Sequence, residues 1–240
     1  MSRLGVDVAQ TRPGPRTASS KPAHDSPSEF TLLAVGRLHP VKDHEFLIRA
    51  CALLRDRAVH FRCVIAGEGP ERGRIELLVG RLQLERHVTL LGHVPPAEIG
   101  DHYEQADLVV LTSRSEGIPL VLMEAMACGK VVLAPAITGI PELVIAGETG
   151  LLYEAGSLED FVIQVMQVES LTRWRRISGV GSSRSSGPNR VDLLRRAAPA
   201  YVHLHFDRTT NLKTFGDLFL ARTAPNQERP PHEDLVLQQI

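Results

Sequence analysis

Three short segments hold residues whose types and spacing suit chemistry on an anionic, hydroxyl-rich ligand. The first is Gly36-Arg37-Leu38-His39-Pro40-Val41-Lys42, which closes an apolar run with two cations, Arg37 and Lys42. Two cations on one loop suit a diphosphate, since charge-assisted hydrogen bonds contribute about 1.5–3 kcal/mol each. Taken alone, the pair reads better as two solvated surface cations. The second segment is Gly67-Glu68-Gly69-Pro70, where the two glycines would let backbone approach a ligand closely. It does not complete a dinucleotide fingerprint, because Arg72 stands at the third glycine position. Taken alone, a structural turn explains it better.

The third segment, Ser113 to Gly129, is the most informative. Pro119 fits the first position of a helix, which would leave the amides of Gly117 and Ile118 at a helix amino terminus, a natural anion site. Glu116 lies just ahead, where a carboxylate also simply complements the positive end of a helix. Glu124 lies about two turns into that helix. Its neighbours at helical spacing are Leu120, Val121, Ala127 and Cys128, and the other faces carry Leu122, Met123, Ala125 and Met126. No polar face exists for it to join, so burial is predicted. A buried carboxylate needs a cation, a set of donors or a ligand with hydroxyls, or else keeps its proton. The residues alone leave these choices open.

The elements that position these segments follow from hydrophobic patterning. Apolar runs at Phe30–Gly36, Phe61–Gly67, Val88–Gly92, Asp107–Thr112, Val131–Ala134 and Thr149–Tyr153 read as strands. Helical patterns separate them, at Glu71–Leu84, Pro96–Gln105 and Pro119–Cys128, with one more following over Leu158 to about Val168. Asp43 is placed to cap the helix that carries Phe46, Leu47, Ala50, Leu53 and Leu54. Strands that are apolar throughout and alternate with helices predict a parallel sheet covered on both faces, the doubly wound Rossmann-like α/β class. Ligands of such sheets bind beyond the carboxyl ends of the strands, where the first two segments fall directly after strands and the third after the fourth strand.

Composition narrows the function classes. The chain has 240 residues and a net charge of −1, so no overall charge points to nucleic acid. Cys51, Cys63 and Cys128 are three, widely spaced and without a CxxC pair, which argues for a reducing compartment and for packing roles. No secretory signal and no apolar run of the roughly 18 residues a membrane helix needs are found, so a cytoplasmic location is expected. No metal-ligand cluster is evident, and His203 and His205 read as incidental. Residues 1–29 read as a linker or arm, 30–170 as the folded domain, and 171–240 as a divergent, partly disordered tail. In that tail Leu193, Leu194, Tyr201, Phe215, Leu218 and Phe219 form no continuation of the alternation.

The ordered series of motifs resembles the carboxyl-terminal domain of group 1 glycosyltransferases, a retaining family with two Rossmann-like domains facing a cleft. The series runs from Gly36-Arg37-Leu38 with Lys42, through Ile65 to Pro70, Val88 to Gly92 and Tyr103 to Asp107. It continues with Glu116-x7-Glu124 inside Ser115-Glu116-Gly117-Ile118-Pro119, then Glu124 to Gly129, Pro141 to Val144 and Gly147 to Leu152. Gly5-Val6-Asp7 resembles the family's interdomain linker. The resemblance implies a nucleotide-sugar donor, UDP- or GDP-linked, with no separate cofactor and no metal. It implies that Arg37 and Lys42 hold the diphosphate and that Glu116 holds sugar hydroxyls. The amides of Gly117, Ile118, Pro119's neighbour Leu120 and the surrounding turn would meet sugar or phosphate, and Glu124 the ribose. Gly36, Gly67, Gly69, Leu91, Val94 and Pro119 would border the donor. The acceptor-binding half, amino-terminal in the family, would belong to a separate chain, or the chain would be a binding module or remnant without transferase activity. Two positions depart from the family: Asp43 stands where it has glycine after the lysine, and Thr138 stands where it has the first of two glycines. A nicotinamide-linked oxidoreductase is disfavoured by the broken glycine fingerprint.

Overall fold

A computed structural model describes residues 29–178 and 188–207. Six strands, β1 (Phe30–Val35), β2 (Phe61–Ala66), β3 (Val88–Gly92), β4 (Leu108–Val110), β5 (Val131–Pro135) and β6 (Leu151–Tyr153), form one sheet in the order β3-β2-β1-β4-β5-β6. Every pairing is parallel. The expected doubly wound Rossmann-like class is therefore observed. The chain steps outward from β1 to β3, then returns to the other side of β1, so the strand order reverses between β1 and β4. In sheets of this kind such a reversal marks the ligand-binding end, beyond the carboxyl ends of the strands.

Helices α1 (His44–Asp56), α2 (Arg72–Arg81), α3 (Ile99–Gln105), α4 (Leu120–Ala127), α5 (Ile140–Leu143), α6 (Leu158–Ser178) and α7 (Arg190–Phe206) complete the fold. Asp43 caps α1 as expected, its carboxylate accepting from the Phe46 amide at 3.4 Å. The sheet is buried on both faces because successive strand residues feed opposite cores. Leu32 and Ala34 of β1 pack with α1, α2 and α6, whereas Leu33 packs with α3, α4 and α5. β3 departs from the expected uniform burial: as an edge strand it leaves Thr89 and Leu91 exposed.

The region after residue 170 differs most from its sequence reading. The helix expected to end near Val168 runs on to Ser178, and residues 190–206 form α7. Val191, Leu194, Ala198, Val202 and Phe206 of α7 are buried, at the three- and four-residue spacing of an amphipathic helix. Both helices are tied to Asp107, at the start of β4. Its carboxylate accepts from the Thr31 amide at 3.0 Å and from Arg176 at 2.9 Å, with Arg195 at 4.0 Å. The arm over residues 1–28, the Gly5-Val6-Asp7 segment and the apolar residues Phe215, Leu218 and Phe219 lie outside the described residues. No helix among the described residues is long and apolar enough to cross a membrane.

Candidate functional site

The loops that follow β1 and β4 meet at this end of the sheet. Lys42, on the 3-10 turn Pro40–Lys42, places its ammonium 2.5 Å from Glu116 Oε1. Ser113 Oγ donates to the same oxygen at 2.6 Å. The Glu116 side chain is only 13% exposed, so its interactions are sheltered from solvent screening. Two backbone ties fix the loops further: Thr112 Oγ1 donates to the Lys42 carbonyl at 2.9 Å, and the Arg114 amide donates to the Val41 carbonyl at 2.8 Å. The structure thus joins Lys42 and Glu116, two residues separated by 74 positions in sequence. Arg37 is exposed on the same loop and has no ion-pair partner among the described residues.

The helix that begins beside these loops is α4. Pro119 occupies its N-cap rather than the first helical position, with φ −75° and ψ 120°, and no side chain caps the helix. The amides of Gly117, Ile118 and Leu120 donate to no backbone carbonyl among the described residues. These open donors at the positive end of a helix suit an anion or a hydroxylated ligand. Leu120 is 53% exposed, Ile118 is half-buried and Pro119 is buried.

About one turn into α4, Glu124 is half-buried and accepts a hydrogen bond from the Tyr103 hydroxyl at 2.9 Å. Burial pushes the Glu124 carboxyl above its ordinary value, and the Tyr103 hydrogen bond opposes that shift. Tyr103, fully buried, is itself pushed up by burial and by the adjacent carboxylate. Its role as partner to Glu124 is a long-range fact that residue spacing does not carry. Glu124 makes no hydrogen bond or ion pair with Arg37, Lys42 or Glu116 among the described residues.

The glycines are explained by loop stacking. A Cβ on Gly67 would lie 1.9 Å from the Gly36 carbonyl oxygen, and one on Gly69 would lie 2.3 Å from that of Leu38. The close approach read from these glycines is therefore to the neighbouring loop's backbone. The Leu38 amide donates to the Glu68 carbonyl at 2.9 Å, and the Glu71 amide returns to Leu38 at 3.1 Å. Gly36 in turn lies beneath the aliphatic stem of Lys42. Leu91 is exposed at the end of β3, and Val94 just beyond is half-buried against the second core.

The two departures from the family pattern share one geometry. Asp43 has φ +47° and Thr138 has φ +40°, in the left-handed region that glycine adopts at no steric cost. For the β-branched Thr138 this is strained backbone. Its hydroxyl donates to the Glu116 carbonyl, and next to it a Cβ on Gly139 would lie 2.7 Å from the Gly117 oxygen. The turn after β5 thereby presses on the Glu116–Gly117 backbone. Asp43 accepts from Arg114 Nε at 2.7 Å, a second ion pair between the β1 and β4 loops. Sequence reading did not single out Ser113, Arg114 or Thr138 as parts of the site. The glycine-to-threonine departure was the available signal for Thr138.

No group of three or more His, Cys, Asp or Glu able to hold a metal ion occurs among the described residues. The family model described as glycosyl transferases group 1 matches residues 16–177. A D-inositol 3-phosphate glycosyltransferase from Rhodococcus opacus is 35% identical over 173 residues, covering 69% of this chain and 39% of its own length. The chain thus spans about two fifths of the length of such curated relatives. Among solved structures, HepE from Anabaena in complex with UDP superposes with a TM-score of 0.72 at 23% identity, covering 90% of this chain and 56% of HepE. Sucrose-phosphate synthase from Thermosynechococcus elongatus gives 0.73 at 26%, covering 92% and 52%.

Proposed function

This chain belongs to the group 1 glycosyltransferases, and we propose that it is the donor-binding half of a transferase that moves a sugar from a nucleotide sugar with retention of configuration. The observation that carries this reading is the Lys42–Glu116 pair across the strand-order reversal, set beside the uncapped amino terminus of α4. A cation, a carboxylate and open amides converge there. They match the diphosphate, the sugar hydroxyls and the ring oxygens of one extended ligand.

In the proposed mechanism the bond from the anomeric carbon to the diphosphate breaks with its electron pair on the departing phosphate. Arg37 and Lys42 offset the charge that develops there, and the α4 amides add the field of the helix end. Lys42 has three N–H donors, of which Glu116 engages one, so it serves phosphate without releasing its partner. Glu116 accepts from sugar hydroxyls, and Glu124 accepts from the ribose. Gly36, Gly67, Gly69, Leu91 and Val94 border the nucleoside. UDP is the first nucleotide to test, as HepE was solved with it, and GDP the second. The acceptor is held by the amino-terminal domain typical of the family, and the reaction takes place in the cytoplasm without a metal or further cofactor.

A second reading is a module that binds nucleotide sugar and catalyses no transfer; it shares the donor site and differs only in turnover. Calorimetric titration with UDP and GDP, beside Glu124→Ala, tests the donor site. Binding weakened about tenfold or more in the variant is expected, from the loss of a charge-assisted bond. A folded chain that binds neither nucleotide sinks both readings. Transfer that appears only when an amino-terminal half is added decides for the enzyme over the module.

A further inference from the structure

The two oxygens of the Glu116 carboxylate are treated unequally. Oε1 accepts from the Lys42 ammonium at 2.5 Å and from the Ser113 hydroxyl at 2.6 Å. Oε2 accepts from no side chain among the described residues, yet it is not one of their buried polar atoms left without a partner, so it reaches solvent. One oxygen is engaged twice by the protein, and the other is left to a ligand. The main chain of the same residue is held as well. The Thr138 hydroxyl donates to the Glu116 carbonyl, and a Cβ on Gly139 would lie 2.7 Å from the Gly117 oxygen. We propose that Ser113 and Thr138 are positioning residues for the sugar moiety of the donor, which together fix the side chain and the backbone of Glu116 so that its open oxygen meets the sugar hydroxyls. This role rests on the donor-binding reading, and it separates the hold on the sugar from the hold on the nucleotide.

Lys42 is poorly suited to aim the carboxylate alone. Its ammonium ends a flexible four-carbon stem and also serves the phosphates in the proposed mechanism. Ser113 is a short side chain on a residue only 3% exposed, so its hydroxyl is placed by the backbone that carries it. It sits three residues ahead of Glu116 in the loop after β4. Thr138, in the turn after β5, acts on the other end of the residue. Its φ of +40° is one that glycine would adopt at no steric cost. Glycine would therefore serve this turn better as backbone but would bring no donor for the Glu116 carbonyl. What threonine adds here is the hydroxyl. A free glutamate side chain would have to be ordered when the sugar arrives, and one already held avoids that entropy cost. The effect is confined to the sugar because its hydroxyls donate to a carboxylate, whereas a diphosphate offers it only like charge.

Calorimetric titration of the full chain with UDP-glucose, UDP-N-acetylglucosamine and GDP-mannose, each beside its free nucleotide, reads the ratio of nucleotide-sugar affinity to nucleotide affinity. The free nucleotide is the internal standard for a folded chain with its nucleotide site intact. For the donor that wild type binds most tightly, Ser113→Ala and Thr138→Gly should each lower this ratio about tenfold, as expected for one charge-assisted hydrogen bond lost to misalignment. Thr138→Ser keeps the hydroxyl and should keep the ratio within about twofold of wild type. An unchanged ratio in Ser113→Ala or in Thr138→Gly overturns the proposal. So does a parallel loss of nucleotide and nucleotide-sugar affinity, which marks a merely structural role, or a Thr138→Ser variant that falls as far as the glycine one. Failure of the donor reading itself looks different: folded wild type then binds none of these ligands, and the positioning role falls with it.

Discussion

The Tyr103–Glu124 contact gives the sharpest test of how the donor site is built. The pair is a 2.9 Å hydrogen bond from a fully buried phenol to a half-buried carboxylate. With Glu124 ionised, a bond of this kind contributes about 1.5–3 kcal/mol; with Glu124 protonated it falls to the neutral range of about 0.5–1.5 kcal/mol. A double-mutant cycle with Tyr103→Phe and Glu124→Leu, read by urea denaturation, should therefore show a coupling of about 2 kcal/mol near pH 8. That coupling should shrink as the pH falls toward the ordinary carboxyl value of 4.5.

The linkage adds a second signature. The Glu124 carboxyl is raised above its ordinary value, chiefly by burial. The folded chain thus holds this proton more tightly than the unfolded chain does. Relative to Glu124→Leu, wild-type stability should rise as the pH falls through the folded value and level off below the unfolded one. UDP binding should run the opposite way, since a protonated Glu124 accepts less well from the ribose. Tyr103→Phe removes the contact that opposes the shift, so the loss of UDP affinity should set in at higher pH. A coupling below about 0.5 kcal/mol near pH 8, or one that acid leaves unchanged, would refute the assignment of Tyr103 as the group that holds Glu124.

Other changes probe the scaffold. Asp107→Ala should cost about 2–4 kcal/mol in thermal or urea unfolding, since it removes the acceptor of the Thr31 amide and the carboxylate that Arg176 and Arg195 face. The estimate sits below the full range for a buried pair because Arg176 is partly exposed, and hydrogen exchange should show α7 losing protection first. Gly67→Ala should cost more than about 3 kcal/mol and abolish UDP binding, because its methyl would overlap the Gly36 carbonyl. Gly73→Ala, in α2 with open space around it, should gain about 0.5–1 kcal/mol, and equal effects from the two substitutions would refute the loop-stacking account.

The strands of this fold were legible because residues buried on both faces leave unbroken apolar runs. The same rule misjudged β3, whose edge position no local pattern announces. The closing helices were obscured for a different reason. Val191, Leu194, Ala198, Val202 and Phe206 hold helical spacing, but Pro199 interrupts the helix interior and arginines crowd its surface. Beside their apolar packing, α6 and α7 are joined through a carboxylate at the start of β4, many residues away, and spacing carries no such information. At the site, the residue types of Arg37, Lys42, Glu116 and Glu124 were readable from the chain. The partner of Glu124 and the pairing of Lys42 with Glu116 depend on tertiary contacts. The left-handed turns at Asp43 and Thr138 were visible only as departures from glycine.

Those two turns change what the departures mean. An aspartate next to a phosphate-binding lysine reads as an electrostatic fault. In the structure Asp43 caps α1 and binds Arg114, so its carboxylate is engaged by these partners. Its left-handed conformation is one that aspartate tolerates better than most residues. Thr138 is different, because a β-branched side chain gains nothing from φ +40°. The strain persists because the hydroxyl holds the Glu116 carbonyl and Gly139 packs on Gly117. Replacing Thr138 by glycine would release the strain and the hydrogen bond together. The Glu116 side chain would keep its bonds to Ser113 and Lys42, but its backbone carbonyl would lose the Thr138 tie. Strain concentrated at this one turn, beside the carboxylate that joins the two loops through Lys42, is consistent with the preorganisation that the proposed sugar site calls for.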